Sequence, residues 1–157
     1  MSSGSSIHSS LVLPEWYFSR VFSPDQKTYI AQGEAVGALA ALLSAPELFR
    51  GRSVIIFHDN TWSLSALIHG YASRPDMGRI VNAYFHTAQF ALGSRIWLEW
   101  VPSAANIGDL PSREKWDELF SILPQSVWVP TVLPPLACWS LPFASFAEDM
   151  IDFLGNA

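Results

Sequence analysis

Ser53-Val-Ile-Ile-Phe-His-Asp-Asn60 gathers β-branched and aromatic residues into a run that is continuously apolar from Val54 to Phe57. Such a run, with Pro46 and Gly51 just upstream, predicts a central strand covered on both faces. Its end changes character: Asp59 sets a carboxylate at the C-terminal edge of the strand, and Asn60 or Thr61 can cap a following helix. Upstream, Tyr29 to Leu43 is dense in Ala, Leu and Gln. Ile30, Val36, Leu39, Ala40 and Leu43 recur there at three- and four-residue intervals, which predicts a buried helix with Glu34 near its start. Downstream, helices are expected from about Trp62 to His69, stopped by Gly70, and from Asp76 to Leu92, stopped by Gly93. Arg95-Ile-Trp-Leu-Glu-Trp-Val101 reads as a second strand, and a last helix runs roughly from Arg113 to Ile122 before Pro124.

Helix, strand, two helices, strand and helix predict an α/β sandwich with a partly parallel sheet. This unit is expected over residues 11–123. Residues 1–10, rich in Ser and Gly, read as a flexible leader. Residues 124–157 read as a Pro- and Trp-rich extension, in which Pro130, Pro134, Pro135 and Pro142 prevent one regular element. Leu11 to Arg20 is apolar and aromatic but broken by Pro14, which predicts a short or edge strand at best, and Ser23-Pro-Asp-Gln26 reads as a turn.

The 157 residues, half of them apolar, are enough for one sizeable core. Nine Lys and Arg against 14 Asp and Glu give a formal charge of −5, which excludes nucleic-acid binding by bulk positive charge and requires any such contact to be local. The single cysteine, Cys138, cannot form an intramolecular disulfide and fits an intracellular, reducing compartment, cytoplasmic or nuclear. The apolar run in the first helix, Ala35 to Leu43, is far shorter than the roughly 20 residues that span a bilayer. No membrane contact and no signal peptide are expected.

Three acids stand in settings suited to metal binding: Glu34 on a helix, Asp59 at a strand end, and Asp109 in Asn106-Ile-Gly-Asp-Leu-Pro-Ser-Arg113 after the second strand. Carboxylates brought together at a sheet edge can hold a pair of Mg²⁺ ions about 3.5–4 Å apart, which activate a water and stabilise the leaving oxygen of a phosphodiester. In order and setting, Tyr29-Ile-Ala-Gln-Gly-Glu34, Phe57-His-Asp-Asn60 and Trp100-Val-Pro-Ser-Ala-Ala-Asn106-Ile-Gly-Asp-Leu-Pro-Ser-Arg113 resemble the ribonuclease H domains of retroelement reverse transcriptases. The resemblance covers roughly Tyr29 to Arg113 and is most specific in its last segment.

The resemblance implies a ribonuclease H-like mixed sheet flanked by helices, and metal-dependent endonucleolytic hydrolysis of the RNA strand of an RNA–DNA hybrid. It implies Glu34, Asp59 and Asp109 as catalytic metal ligands for two Mg²⁺ (or Mn²⁺) ions. Glu34 would also orient water near the RNA 2′-hydroxyl. By the same comparison Asn60, Asn106 and Arg113 would contact nucleic acid, and an upstream reverse-transcriptase domain becomes a candidate partner. The pattern also needs an Asp on a first strand upstream of the helix. Glu15 and Asp25 are the upstream acids, and neither lies on a plausible central strand. The chain is therefore expected to begin after that strand, with cleavage impaired. The competing readings are a catalytically silent module that binds nucleic acid or a protein partner, and an unrelated α/β domain.

Other residues have plainer expectations. Strand alternation should turn His58 away from Asp59, as a packed or edge histidine. His8, His69 and His86 lack ligand-like partners, so no zinc site is expected. Trp97, Trp100 and Trp116 are expected in the core, and Arg74, Arg79, Arg95 and Lys115 on the surface as scattered cations.

Overall fold

The computed structural model describes residues 6–24, 26–139 and 143–155. Two six-residue stretches with the expected β-branched and aromatic content are the strands of the main sheet. They are labelled β2 (Ser53–His58) and β3 (Arg95–Trp100), after a short β1 (Ile7–His8). β2 and β3 pair in parallel, with Ser53 opposite Arg95 and His58 opposite Trp100. A second parallel pair joins β1 to β4 (Val127–Trp128), extended by bonds from Val127 N–H to the Ser6 carbonyl and from Val129 N–H to the His8 carbonyl, each 3.0 Å. The protein is thus α/β, with two small parallel sheets.

Helix α1 (Ile30–Ser44) precedes β2 and buries residues on nearly all sides, as its apolar content requires. After the short α2 (Pro46–Phe49) and β2, the crossover to β3 is helical apart from residues 70–74 and the turn at residues 93–94. It comprises α3 (Thr61–His69), α4 (Pro75–Gly78), a π-wound stretch Arg79–His86 and α5 (Thr87–Leu92). The last three run on without a break, since Arg79 and Thr87 keep right-handed helical torsions. Gly70 ends α3 at φ 63°, a left-handed torsion that costs glycine nothing. Beyond β3 come the single turn α6 (Asp109–Ser112) and α7 (Trp116–Ile122). The helix expected from Arg113 is split there, because Glu114 takes a positive φ of 57°. α8 (Leu136–Trp139) and α9 (Phe143–Gly155) follow.

The core lies between α1, the crossover helices and α9, with Leu39, Leu42, Leu67, Ile80, Phe85, Leu92 and Leu154 fully buried. Val54, Ile56, Ile96 and Leu98 pack on it from one face of the main sheet. The opposite face is open, contrary to the expectation of a strand covered on both sides. Ile55 is 59 % exposed, Phe57 60 % and Trp97 67 %. Trp97 is accordingly a surface ring, because among the described residues no layer covers that face, whereas Trp100, three residues further and therefore on the core-facing side at the end of β3, is 49 % exposed. Among the described residues the edge of β2 away from β3 has no backbone partner. His8 packs against Trp116 and Phe120 and bonds Ser126 Oγ through Nδ1 at 3.0 Å. Asp25 lies outside the described residues. No helix among the described residues is long and apolar enough to cross a membrane.

One buried carboxylate ties the N-terminal segment to this core. Asp76 accepts bonds from Ser23 N–H (3.0 Å), Gln26 Nε2 (2.9 Å), Gln32 Nε2 (3.1 Å) and Met77 N–H (2.8 Å). Burial alone would raise its pKa, but these bonds favour the anion and hold it below the ordinary carboxylate value. A depressed folded pKa means stability that is present above the unfolded carboxylate value and lost as pH falls through the folded one. Asp76→Ala should therefore cost about 1–3 kcal/mol in urea denaturation at pH 7, leaving buried donors unpaired. The difference from the parent should shrink as pH falls below 4. A variant equally stable at pH 7 would show that this network contributes nothing.

Candidate metal centre

β2 ends at His58, and the chain leaves the sheet through Asp59 into the N-terminus of α3. Asn60 fixes that exit: its side-chain oxygen accepts from Trp62 N–H (3.0 Å) and Ser63 N–H (3.1 Å), capping the helix. His58 is held beneath the same turn. Asn60 N–H donates to His58 Nδ1 at 3.3 Å, which leaves the ring proton on Nε2 facing Ser63 Oγ at 3.3 Å. Ser63 Oγ in turn donates to the Asn60 carbonyl at 3.1 Å. This chain of bonds sets the orientation of the imidazole.

From the other side α1 delivers Glu34. One ligand atom each from Glu34, His58 and Asp59 falls within 4.8 Å of the others, a spacing that can hold a metal ion. Glu34 and Asp59 are half-buried and His58 is buried. The structure therefore brings together two of the three acids named from sequence and adds a histidine that alternation along the strand had set aside. Alternation holds only inside β2. Asp59 is already past the strand, and the turn at Asn60 swings its carboxylate back toward the ring. The sequence signal that could have found His58 is its place as the last residue of β2, directly under the capped turn.

Asp109 stands beside this group rather than in it. Its charge is close enough to act on Glu34, but its oxygens are engaged by Arg113 Nη2 at 2.8 Å and Asn106 Nδ2 at 3.4 Å. Asn106 Oδ1 also accepts from Gly108 N–H at 3.1 Å, closing the turn that presents Asp109 at the start of α6. Asn106 and Arg113, named as nucleic-acid contacts, thus orient and neutralise Asp109 in this structure. Asn60 is the helix cap described above.

Burial pushes the Glu34 pKa up, and the negative charges of Asp59 and Asp109 push it further in the same direction. Burial lowers that of His58, against a backbone hydrogen bond to Glu34 and the charge of Asp59, so the ring is kept neutral, and a metal ion at Nδ1 would take the lone pair that accepts from Asn60 N–H. Acids crowded until one resists ionisation, beside a neutral imidazole, are arranged as a cation site demands. The donor set is two carboxylates and one nitrogen. It fits a single divalent ion that accepts mixed ligands, such as Mn²⁺, better than Mg²⁺, which prefers oxygen alone. No protein-family model, curated protein or solved structure matches this chain.

The signs of these shifts give a test. Glu34 binds its proton more tightly in the folded chain, so stability falls as pH rises above the ordinary glutamate value. His58 resists protonation in the folded chain, so stability also falls as pH drops below the ordinary histidine value. Without metal at pH 7, Glu34→Gln should raise the melting temperature. With Mn²⁺ in excess the parent should melt higher than in EDTA, whereas Glu34→Gln and Asp59→Asn should lose that gain. Equal Mn²⁺ stabilisation of all three proteins would remove these residues from any metal site.

Proposed function

We propose that this chain is a ribonuclease H-like phosphodiesterase of the reverse-transcriptase type, acting slowly on the RNA strand of RNA–DNA hybrids. One observation carries the reading. Glu34 from a helix and Asp59 from a strand end, two of the three acids whose order and setting resemble that family, meet at one edge of the main sheet, and the third, Asp109, is close enough for its charge to act on Glu34.

In this reading Glu34, Asp59 and His58 hold one divalent cation. When bound, such an ion supplies a water of lowered pKa and charge neutralisation at the phosphate. The remaining tasks fall to the protein. Glu34, whose pKa is raised by burial and by the charges of Asp59 and Asp109, would accept a hydrogen bond from water near the RNA 2′-hydroxyl, as the resemblance implies. Asp109, neutralised by Arg113, remains at the rim as a reserve ligand. His58 is kept neutral by burial and positioned by Asn60 and Ser63. A single mixed-donor site supports slower cleavage than a pair of ions would, because the leaving oxygen lacks its own counter-charge.

Mn²⁺ should therefore support measurable cleavage of a labelled RNA–DNA hybrid, and Mg²⁺ less. Asp59→Asn should reduce the Mn²⁺-dependent rate by about a hundredfold or more, in line with loss of an electrostatic stabiliser. Cleavage unaffected by that change would place the chemistry elsewhere. A second reading has its own support in the Asp109–Arg113 pair, which withdraws one carboxylate from the cluster. On that reading the domain binds hybrids without cutting them, and hybrid binding survives Asp59→Asn although no cleavage is seen with the parent.

A further inference from the structure

A groove of about 680 Å³ opens beside the candidate metal centre, between the start of α1, the start of α3 and the segment leading into α4. Gln26, Ile30, Asn60, Trp62, Tyr71 and Arg74 are on its walls. Two of its wall residues neighbour the site along the chain. Asn60 directly follows Asp59, and Ile30 lies one helical turn before Glu34 on the same face of α1.

The walls have an unusual composition for a surface this wet. Trp62 is 79 % exposed and Tyr71 71 % exposed, so two large rings offer their surfaces to solvent with no ring partner among the described residues. Arg74 is exposed and its guanidinium has no ion pair or hydrogen bond among the described residues. These aromatics contribute nothing to the core, unlike Tyr17, Tyr84 and Phe85, which are buried. Flat apolar faces beside one guanidinium match the alternation of base and phosphate along a nucleic-acid strand, since every base has a face to stack and every phosphate accepts a guanidinium fork. A net charge of −5 leaves little general attraction for a polyanion, so stacking must carry most of the affinity.

We infer that this groove is a nucleic-acid subsite, in which unpaired bases of a single-stranded extension of the hybrid stack on Trp62 and Tyr71, a phosphate pairs with Arg74, and the strand leads onward to Glu34 and Asp59. The inference rests on the proposed function for the identity of the ligand, and it adds the residues that hold it. It also accounts for how an acidic protein binds a polyanion, because a stacked, singly paired strand needs little positive charge.

The test is fluorescence anisotropy of the full chain with a labelled RNA–DNA hybrid carrying a single-stranded overhang, in Ca²⁺ so that binding is read apart from cleavage. Trp62→Ala and Tyr71→Ala should each weaken binding about tenfold. Arg74→Ala should weaken it too and flatten the slope of log K against log salt by about one. Trp97→Ala, which removes an equally exposed ring from the open sheet face, should leave affinity unchanged. All these positions are exposed, and thermal denaturation of each variant separates loss of binding from loss of fold. Absence of binding by the parent, parent-like binding by Trp62→Ala and Tyr71→Ala, or equal weakening by Trp97→Ala would each overturn the subsite. Binding that depends on Trp62 in a protein with no Mn²⁺-dependent cleavage would support the subsite and overturn only the catalytic reading.

Discussion

Parallel pairing of Ser53–His58 with Arg95–Trp100 is the constraint from which the rest of the molecule follows. Two parallel strands cannot be joined by a tight turn, because the chain must return to the end at which it started. Residues 61–92 make that return as helices, and those helices, with α1, cover one face of the sheet. The same register sets His58 opposite Trp100, so both strands release the chain at one edge. Val101 N–H still bonds the His58 carbonyl at 3.1 Å, which keeps the two exits together before the second continues toward Asp109. The strand pairing thus brings the Asp59 turn and the Asp109 loop to a common edge, where α1 supplies Glu34.

Bringing these acids together works against folding. Glu34 feels both Asp59 and Asp109, and its raised pKa records the repulsion. Arg113 limits the cost by neutralising Asp109, whereas burial keeps His58 uncharged, so the ring adds no compensating positive charge. The turn holding the site is made rigid by Asn60 and Ser63 rather than by the acids themselves. Asp76 presents the contrasting case, a carboxylate whose neighbours all donate, so that its anion is favoured and the network supports the fold. Surrounding donors set the opposite behaviour of Glu34 and Asp76.

Much of the framework was legible from residue order. The periods of α1, α3 and the 75–92 helix follow from where Leu, Val and Ile recur, and their ends from Gly70 and Gly93, whose left-handed torsions stop a helix. The strands follow from β-branched and aromatic runs. The open face of the main sheet was not legible, because the apolar run Val54 to Phe57 has the same composition whether or not a second layer covers Ile55 and Phe57. The same ambiguity assigned Trp97 to the core. The break at Glu114, which shortens the last expected helix, depends on a positive φ that no residue type in that stretch announces.

For the site, the sequence by itself determined which carboxylates are candidates and on what kind of element each rests, since that depends on local periodicity and order along the chain. Only the tertiary structure decided which of them meet. Glu34 and Asp59 share a space with His58, while Asp109 is held aside by Arg113 and Asn106. The groove walled by Trp62, Tyr71 and Arg74 likewise comes from two separate segments packed beside α1. The physical reason is the same in each case. A ligand set or a binding wall is a property of distances across the fold, and those are set by strand register and helix packing rather than by spacing along the chain.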